Sequence, residues 1–364
     1  MRRQIPIAGR HELLYNTAMK TSLDGVFNAL SKGGLQMRKI SVSELGTKDC
    51  KTIIEDINNC RYSILESIGC HRLRMEMAVP GFLSKWIGKF LFWKAGKSHN
   101  QFWDYRVKQE LEKLFAWAAP STIYGKPPKN LHGIIIGFNH PSLGEILRLI
   151  DFTVKFYPDS PMVFPVNLPW YEALCPIVEE LKSAGVYLTP IITPTTLRKI
   201  FRVNPDADDK LINSIRGMFE AEYINLCREF SDHAVILVAP SATRQRTVFQ
   251  SEAAANGEAK INPPTMSMIA SMIGRRKDAD CRFVPVSIKP PKGFGRGLNL
   301  FRRYELQVNG SITMEDARAM SRERYGGTEF RGHRFDFVFL KRLANGLRKL
   351  KAEELIYPKG LKEA

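Results

Sequence analysis

Gly133-Ile134-Ile135-Ile136-Gly137-Phe138-Asn139-His140-Pro141-Ser142-Leu143-Gly144-Glu145 is the stretch that decides how this chain is read. Its apolar run has the length of a buried strand. Asn, Pro, Ser and Gly then mark a turn, and Ile146-Leu147-Arg148-Leu149-Ile150 opens a buried helix. A histidine and a carboxylate therefore stand where a strand ends and a helix begins. That is the place where open α/β sheets bind ligands. Residues five apart in a regular helix point about 140° away from each other. His140 and Glu145 can meet only if His140 lies in the turn and Glu145 in the first helical turn, which Pro141 and Gly144 permit. The same residues also fit a plain turn followed by an acid that favours a helix N-terminus.

Outward from this stretch the pattern alternates. Strand 133–138 precedes helix 145–157, then a short strand at 162–166, helix 170–184 and strand 185–189. After a loop come helix 207–230, strand 234–238, a helix near 264–274, and strands 282–288 and 304–308. Thr313 and Asp316 form a capping box for helix 314–323, and a basic helix closes the chain at 334–355. Strands alternating with helices predict an α/β fold whose mixed sheet is mostly parallel and flanked by helices. Upstream, 53–68 and 101–118 have helical spacing, and the Pro- and Gly-bearing segment 121–130 reads as a linker. The expected division is a helical N-terminal region, 1–120, and an α/β domain, 121–364. Within the first, Phe82 to Lys94 sets apolar residues at 82, 83, 86, 87, 90 and 91 against Ser84, Lys85, Gly88 and Lys89. Its tryptophans, phenylalanines and lysines suit a helix lying in a membrane interface. They equally suit an amphipathic helix docked on a core.

Composition narrows the class. The 364 residues are 44% hydrophobic and 25% charged, a globular balance. The net charge of +17 calls for an anionic partner: a phosphorylated or CoA-like molecule, an anionic membrane surface, or nucleic acid. Six cysteines form no CxxC pair and seven histidines no HExxH spacing, so neither a zinc site nor a disulfide framework is expected, and the setting reads as intracellular. No apolar run approaches the ~18 residues of a membrane span. Arg2, Arg3 and Arg10 give the start a faint transit-peptide character.

A second chemical stretch, Ala239-Pro240-Ser241-Ala242-Thr243-Arg244-Gln245-Arg246, follows strand 234–238. Two arginines in a loop of small residues can clamp a phosphate, because guanidinium groups grip phosphate bidentately and stay charged. They can equally be a solvated pair. The two stretches together resemble the glycerolipid acyltransferases. Asn139 to Glu145 is similar to that superfamily's NHxSxxD block, with Glu145 in place of the aspartate. Ala239-Pro240-Ser241 with Arg244 and Arg246 resembles the APSGGRDR loop of the soluble, plastid-type glycerol-3-phosphate acyltransferases, with Ala242 and Thr243 in place of the glycines. Leu168 to Leu188 falls where a further block belongs, and Val284-Pro285-Val286-Ser287-Ile288 resembles the last one. The resemblance covers about 130–290. The Lys-Lys-His of the soluble enzymes is replaced by Thr189-Pro190-Ile191-Ile192-Thr193, with Arg198 and Lys199 a few residues on.

The resemblance implies transfer of a fatty acyl group from acyl-CoA or acyl carrier protein to the sn-1 hydroxyl of glycerol 3-phosphate, in phospholipid synthesis. His140 would be the general base and Glu145 its orienting carboxylate. Arg244 and Arg246 would hold the acceptor phosphate, with Asn139, Ser142, Ser241 and Thr243 in the substrate site. No metal or other cofactor is called for. Three other readings stand beside this one. A lysophosphatidate or other lipid acyltransferase fits the segment 82–94. A non-catalytic acyl-CoA- or lipid-binding member fits the replacement at Glu145. A nucleic-acid-binding protein fits the charge, but the sequence holds no recognised nucleic-acid motif, so nucleic acid is not an expected partner.

Overall fold

The computed structural model describes residues 48–58, 102–129, 133–141, 144–203, 209–230, 233–239, 281–291, 301–313 and 335–351, with positions 64, 70, 315, 316 and 319. Ser142, the loop 240–246, the segment 82–94 and the expected helix at 264–274 lie outside the described residues.

Eight strands form one sheet. In chain order they are β1 (Ser121–Tyr124), β2 (Ile134–Phe138), β3 (Met162–Asn167), β4 (Val186–Ile191), β5 (Val235–Val238), β6 (Arg282–Lys289), β7 (Tyr304–Val308) and β8 (Ile312–Thr313). Their spatial order is β1-β7-β6-β2-β5-β3-β4, with β8 also on β6. Strands β6, β2, β5, β3 and β4 run parallel. β7 and β8 run antiparallel to β6, and β1 runs parallel to β7. The fold is thus α/β, with a mixed, mostly parallel sheet. β2 and β5 sit at its centre and are buried along their whole length. Continuous Ile and Val runs are what a strand covered on both faces requires. Each isoleucine of β2 contributes about 2 kcal/mol through burial.

Among the described residues the helices are α1 (Cys50–Asn58), α2 (Phe102–Ala118), α3 (Glu145–Phe156), α4 (Leu168–Leu174), α5 (Val178–Ser183), α6 (Pro194–Val203), α7 (Asp209–Glu229) and α8 (Phe335–Lys349). A 3-10 turn at Cys175–Ile177 separates α4 from α5, where the sequence pattern reads as one helix. Pro176 is the cause, since it lacks an N–H and breaks an α-helical ladder. Ile53, Ile57 and Ile64 join the main core cluster, and the Tyr171 hydroxyl donates to Asn58 Oδ1 (2.7 Å). α1 is thereby seated on the α/β layer.

α8 covers the other face. The Ser287 hydroxyl donates to the Leu343 carbonyl (2.7 Å), whereas Val286 and Ile288, which alternate with Ser287 along β6, belong to the main cluster. Gly346 makes this approach possible: a Cβ there would come within 2.2 Å of Ser287 Oγ. Opposite Pro285, the stretch from β7 into β8 that pairs with β6 carries a β-bulge. Between the pairs Val286↔Val308 and Phe283↔Ile312, β6 advances three residues and its partner four. Gly310, at φ +75°, takes the turn, and Asn309 N donates to the Pro285 carbonyl (2.9 Å). A proline inside a sheet is confined to such places. Among the described residues, no helix is long and apolar enough to cross a membrane.

Candidate active site

β2 ends at Phe138, and the next two residues define the site. Asn139 is fully buried. Its Nδ2 donates to the Ile288 carbonyl (2.8 Å), and its Oδ1 accepts from the Ile288 N–H (2.7 Å). The side-chain amide thus extends the ladder between β2 and β6 by one step and fixes the point from which the chain leaves the sheet. Asn139 is a positioning residue here.

His140 sits in the turn, with its side chain 22% exposed. Gly144, in a right-handed conformation, caps α3, and Glu145 is the first residue of that helix. This is the arrangement that the five-residue spacing requires. His140 Nδ1 meets Glu145 Oε1, and the carboxylate is wholly buried. Nε2 is bonded by no described residue, so the ring is held through one nitrogen and offers the other at the carboxyl edge of the sheet. A carboxylate on Nδ1 fixes tautomer and ring orientation, as a base acting through Nε2 needs.

Beneath this pair lies a residue that the sequence reading passed over. Arg148 is the largest fully buried side chain among the described residues. Its Nη1 donates to the Gly144 carbonyl (2.8 Å), its Nη2 to the Arg302 carbonyl (2.9 Å), and its guanidinium lies 4.2 Å from the centre of the Tyr304 ring. Burial pulls its pKa down, while Tyr304, Glu145 and Asp151 oppose that. The signal was an arginine inside an apolar helix, three residues after the carboxylate; a buried charge of this kind needs a partner.

Asp151 extends the row one turn further. Burial pushes its carboxyl up to about 6, helped by Glu112 and opposed by Lys155 and Arg148. Its folded pKa lies above the 3.8 of an ordinary aspartate, so the folded state loses stability as pH rises through that interval and stays lower above it. Asp151→Asn is therefore expected to raise stability by roughly 2–3 kcal/mol near neutral pH, with the gain vanishing around pH 4. Urea titrations at both pH values measure this. An equal gain at both would refute the assignment.

The second stretch starts beside the first. Val238 pairs with Gly137, and Ala239 packs on the core at the same edge. The structure thus brings the root of the loop next to the end of β2, while Ser241, Thr243, Arg244 and Arg246 lie outside the described residues, as does Ser142. At the ends of β3 and β4 a polar knot forms. The Thr196 hydroxyl donates to Asn167 Oδ1 (2.9 Å), and Thr196 N donates to Thr193 Oγ1 (3.3 Å). Thr193 and Pro194 are the start signal of α6, which occupies a stretch expected to be loop. α6 buries Thr196 and Ile200 and exposes Arg198, Lys199 and Arg202.

Among the described residues no cluster of His, Cys, Asp or Glu could hold a metal ion. No protein-family model matches this chain, and no curated protein matches it either.

Proposed function

We propose that the chain is an acyltransferase that moves a fatty acyl group from a thioester donor, acyl-CoA or acyl carrier protein, to the sn-1 hydroxyl of glycerol 3-phosphate. One observation carries this reading. A partly exposed histidine stands at the carboxyl edge of a parallel sheet, with a buried carboxylate on its Nδ1. His140 Nε2 takes the proton of the acceptor hydroxyl as its oxygen attacks the thioester carbonyl. The tetrahedral intermediate then expels the thiolate, which takes that proton from the His140 imidazolium and restores the base. Glu145 holds the ring in the required tautomer. Asn139 sets the turn, and Arg244 and Arg246 bind the acceptor phosphate. The fold is then the glycerol-3-phosphate acyltransferase type, with a helical N-terminal domain, and the protein works in phospholipid synthesis from a soluble or peripheral position.

A lysophosphatidate acyltransferase is the second reading, favoured by the exposed aromatic side chains of Trp117 and Phe301. The test is thiol release from acyl-CoA with glycerol 3-phosphate or lysophosphatidate as acceptor. Acceptor-dependent release with the first supports the main reading, and with the second alone the alternative. No release with either overturns both and leaves an acyl-CoA- or lipid-binding protein.

A further inference from the structure

Among the described residues, the exposed large hydrophobic side chains are Trp117 (66% exposed), Phe301 (55%) and Tyr124 (44%). Two of them belong together. The Trp117 and Phe301 rings stand edge to face with centroids 4.6 Å apart. Phe301 has φ +59°, which a bulky residue rarely adopts. Such an outlier persists only where its surroundings enforce it, and it points to function. Here the enforcement is visible: Phe301 N donates to the Ala118 carbonyl (2.8 Å), and the Arg302 carbonyl accepts from Arg148. The turn is thereby pinned with an aromatic ring facing water. Arg302 and Arg303, next in the chain, are exposed as well.

Topology places this patch. β7 runs antiparallel to β6, and Glu305 pairs with Lys289 near the end of β6. The start of β7, and Phe301 to Arg303 just before it, therefore lie at the carboxyl edge of the parallel strands. β1 runs with β7, and Ser121 pairs with Tyr304, so the end of α2, which carries Trp117, lies at that edge too. β7 is separated from β2 by β6 alone, about 10 Å across two strand spacings. Tyr124 lies three residues along β1, about 10 Å away from that edge.

We propose that Trp117, Phe301, Arg302 and Arg303 form a docking face for an anionic lipid bilayer, on the same edge as His140. Aromatic rings that tolerate the boundary between water and hydrocarbon, beside arginines, are what an interface of anionic headgroups recognises. The chain's net charge of +17 has the matching sign. This face would present the histidine to a lipid surface. It rests on the acyl-transfer reading for that purpose, but the binding itself does not.

The full chain is mixed with phosphatidylcholine vesicles, with or without phosphatidylglycerol, and bound protein is measured by flotation. Binding is expected to the anionic vesicles only. R302Q/R303Q should weaken it by roughly 30-fold, because each surface arginine contributes about a fivefold factor. W117S/F301G should weaken it by about tenfold or more. F301G also relieves the backbone, so its thermal midpoint should hold or rise, which separates lost binding from lost folding. Variants that bind like the wild type, or a wild type that binds neither vesicle, overturn the proposal. So does loss of self-association in W117S/F301G without loss of vesicle binding, which would make the patch a contact with a second copy. Vesicle binding without turnover would instead count against the acyl-transfer reading alone.

Discussion

His140→Ala and His140→Gln are each expected to cut acceptor-dependent thiol release by about 100-fold or more, the usual contribution of a positioned general base. The two variants differ in what they leave behind. Alanine strips the buried Glu145 carboxylate of its His140 partner. Glutamine can still donate an amide N–H to it, but cannot act as a base. H140Q should therefore keep more of the wild-type stability than H140A while remaining as inactive. Thiol release and urea titration together give the result. A fully active H140Q would take the base role away from His140. The same logic extends to the carboxylate. Glutamate is one methylene longer than the aspartate of the motif it resembles, yet its carboxylate lies on the ring, because the first position of α3 places it directly under the turn.

Arg148→Ala is expected to be the most destabilising single change at the site, at about 3–5 kcal/mol, because it leaves buried groups without their counter-charge. Arg148 bonds the carbonyls of Gly144 and Arg302, stacks on Tyr304 and interacts electrostatically with Glu145 and Asp151. Its removal should loosen the first turn of α3 and the Phe301 turn together. A double-mutant cycle isolates the electrostatic part. If Arg148 compensates Glu145, then R148M/E145Q should lose less stability than the two single changes added, with a coupling of about 1–3 kcal/mol. Strict additivity would show that Arg148 acts only through its backbone bonds and packing.

How far the fold could be read from the chain depends on where each element's signal lies. β2, β3, β5 and β6 carry dense runs of Ile, Val and Phe, β7 alternates Tyr304, Leu306 and Val308 with polar residues, and the expected boundaries fall within two residues of the observed ones. β1 was read as linker because Pro127, Pro128 and Gly125 dominate its neighbourhood. Its strand character comes from pairing with Tyr304 to Gln307, about 180 positions away, which no local window contains. The division of 170–184 into two helices and the start of α6 were both written in single prolines that a periodicity reading averages over. At the site, spacing and turn chemistry permitted a meeting of His140 and Glu145 but fitted a plain turn equally, and only the fold brings the two together. Asn139 was legible as a turn residue, but not as the clamp on Ile288. Arg148 was legible only as part of a buried helix, because only the fold shows that a buried carboxylate and two carbonyls surround it.

The bond between Asn139 and Ile288 joins residues 149 positions apart, and that separation sets an order of assembly. During synthesis β2 emerges long before β6. Until Arg282 to Lys289 have been made and docked, one flank of β2 presents an unsatisfied row of backbone groups. Such an edge invites pairing with the wrong strand. Closing so long a loop is also among the slower steps open to a chain. A newborn chain can therefore hold His140 and Glu145 only five residues apart in sequence and still lack the seat that aims the ring. The site matures only when the far strand arrives, and the interval before that is when the protein is most exposed to aggregation.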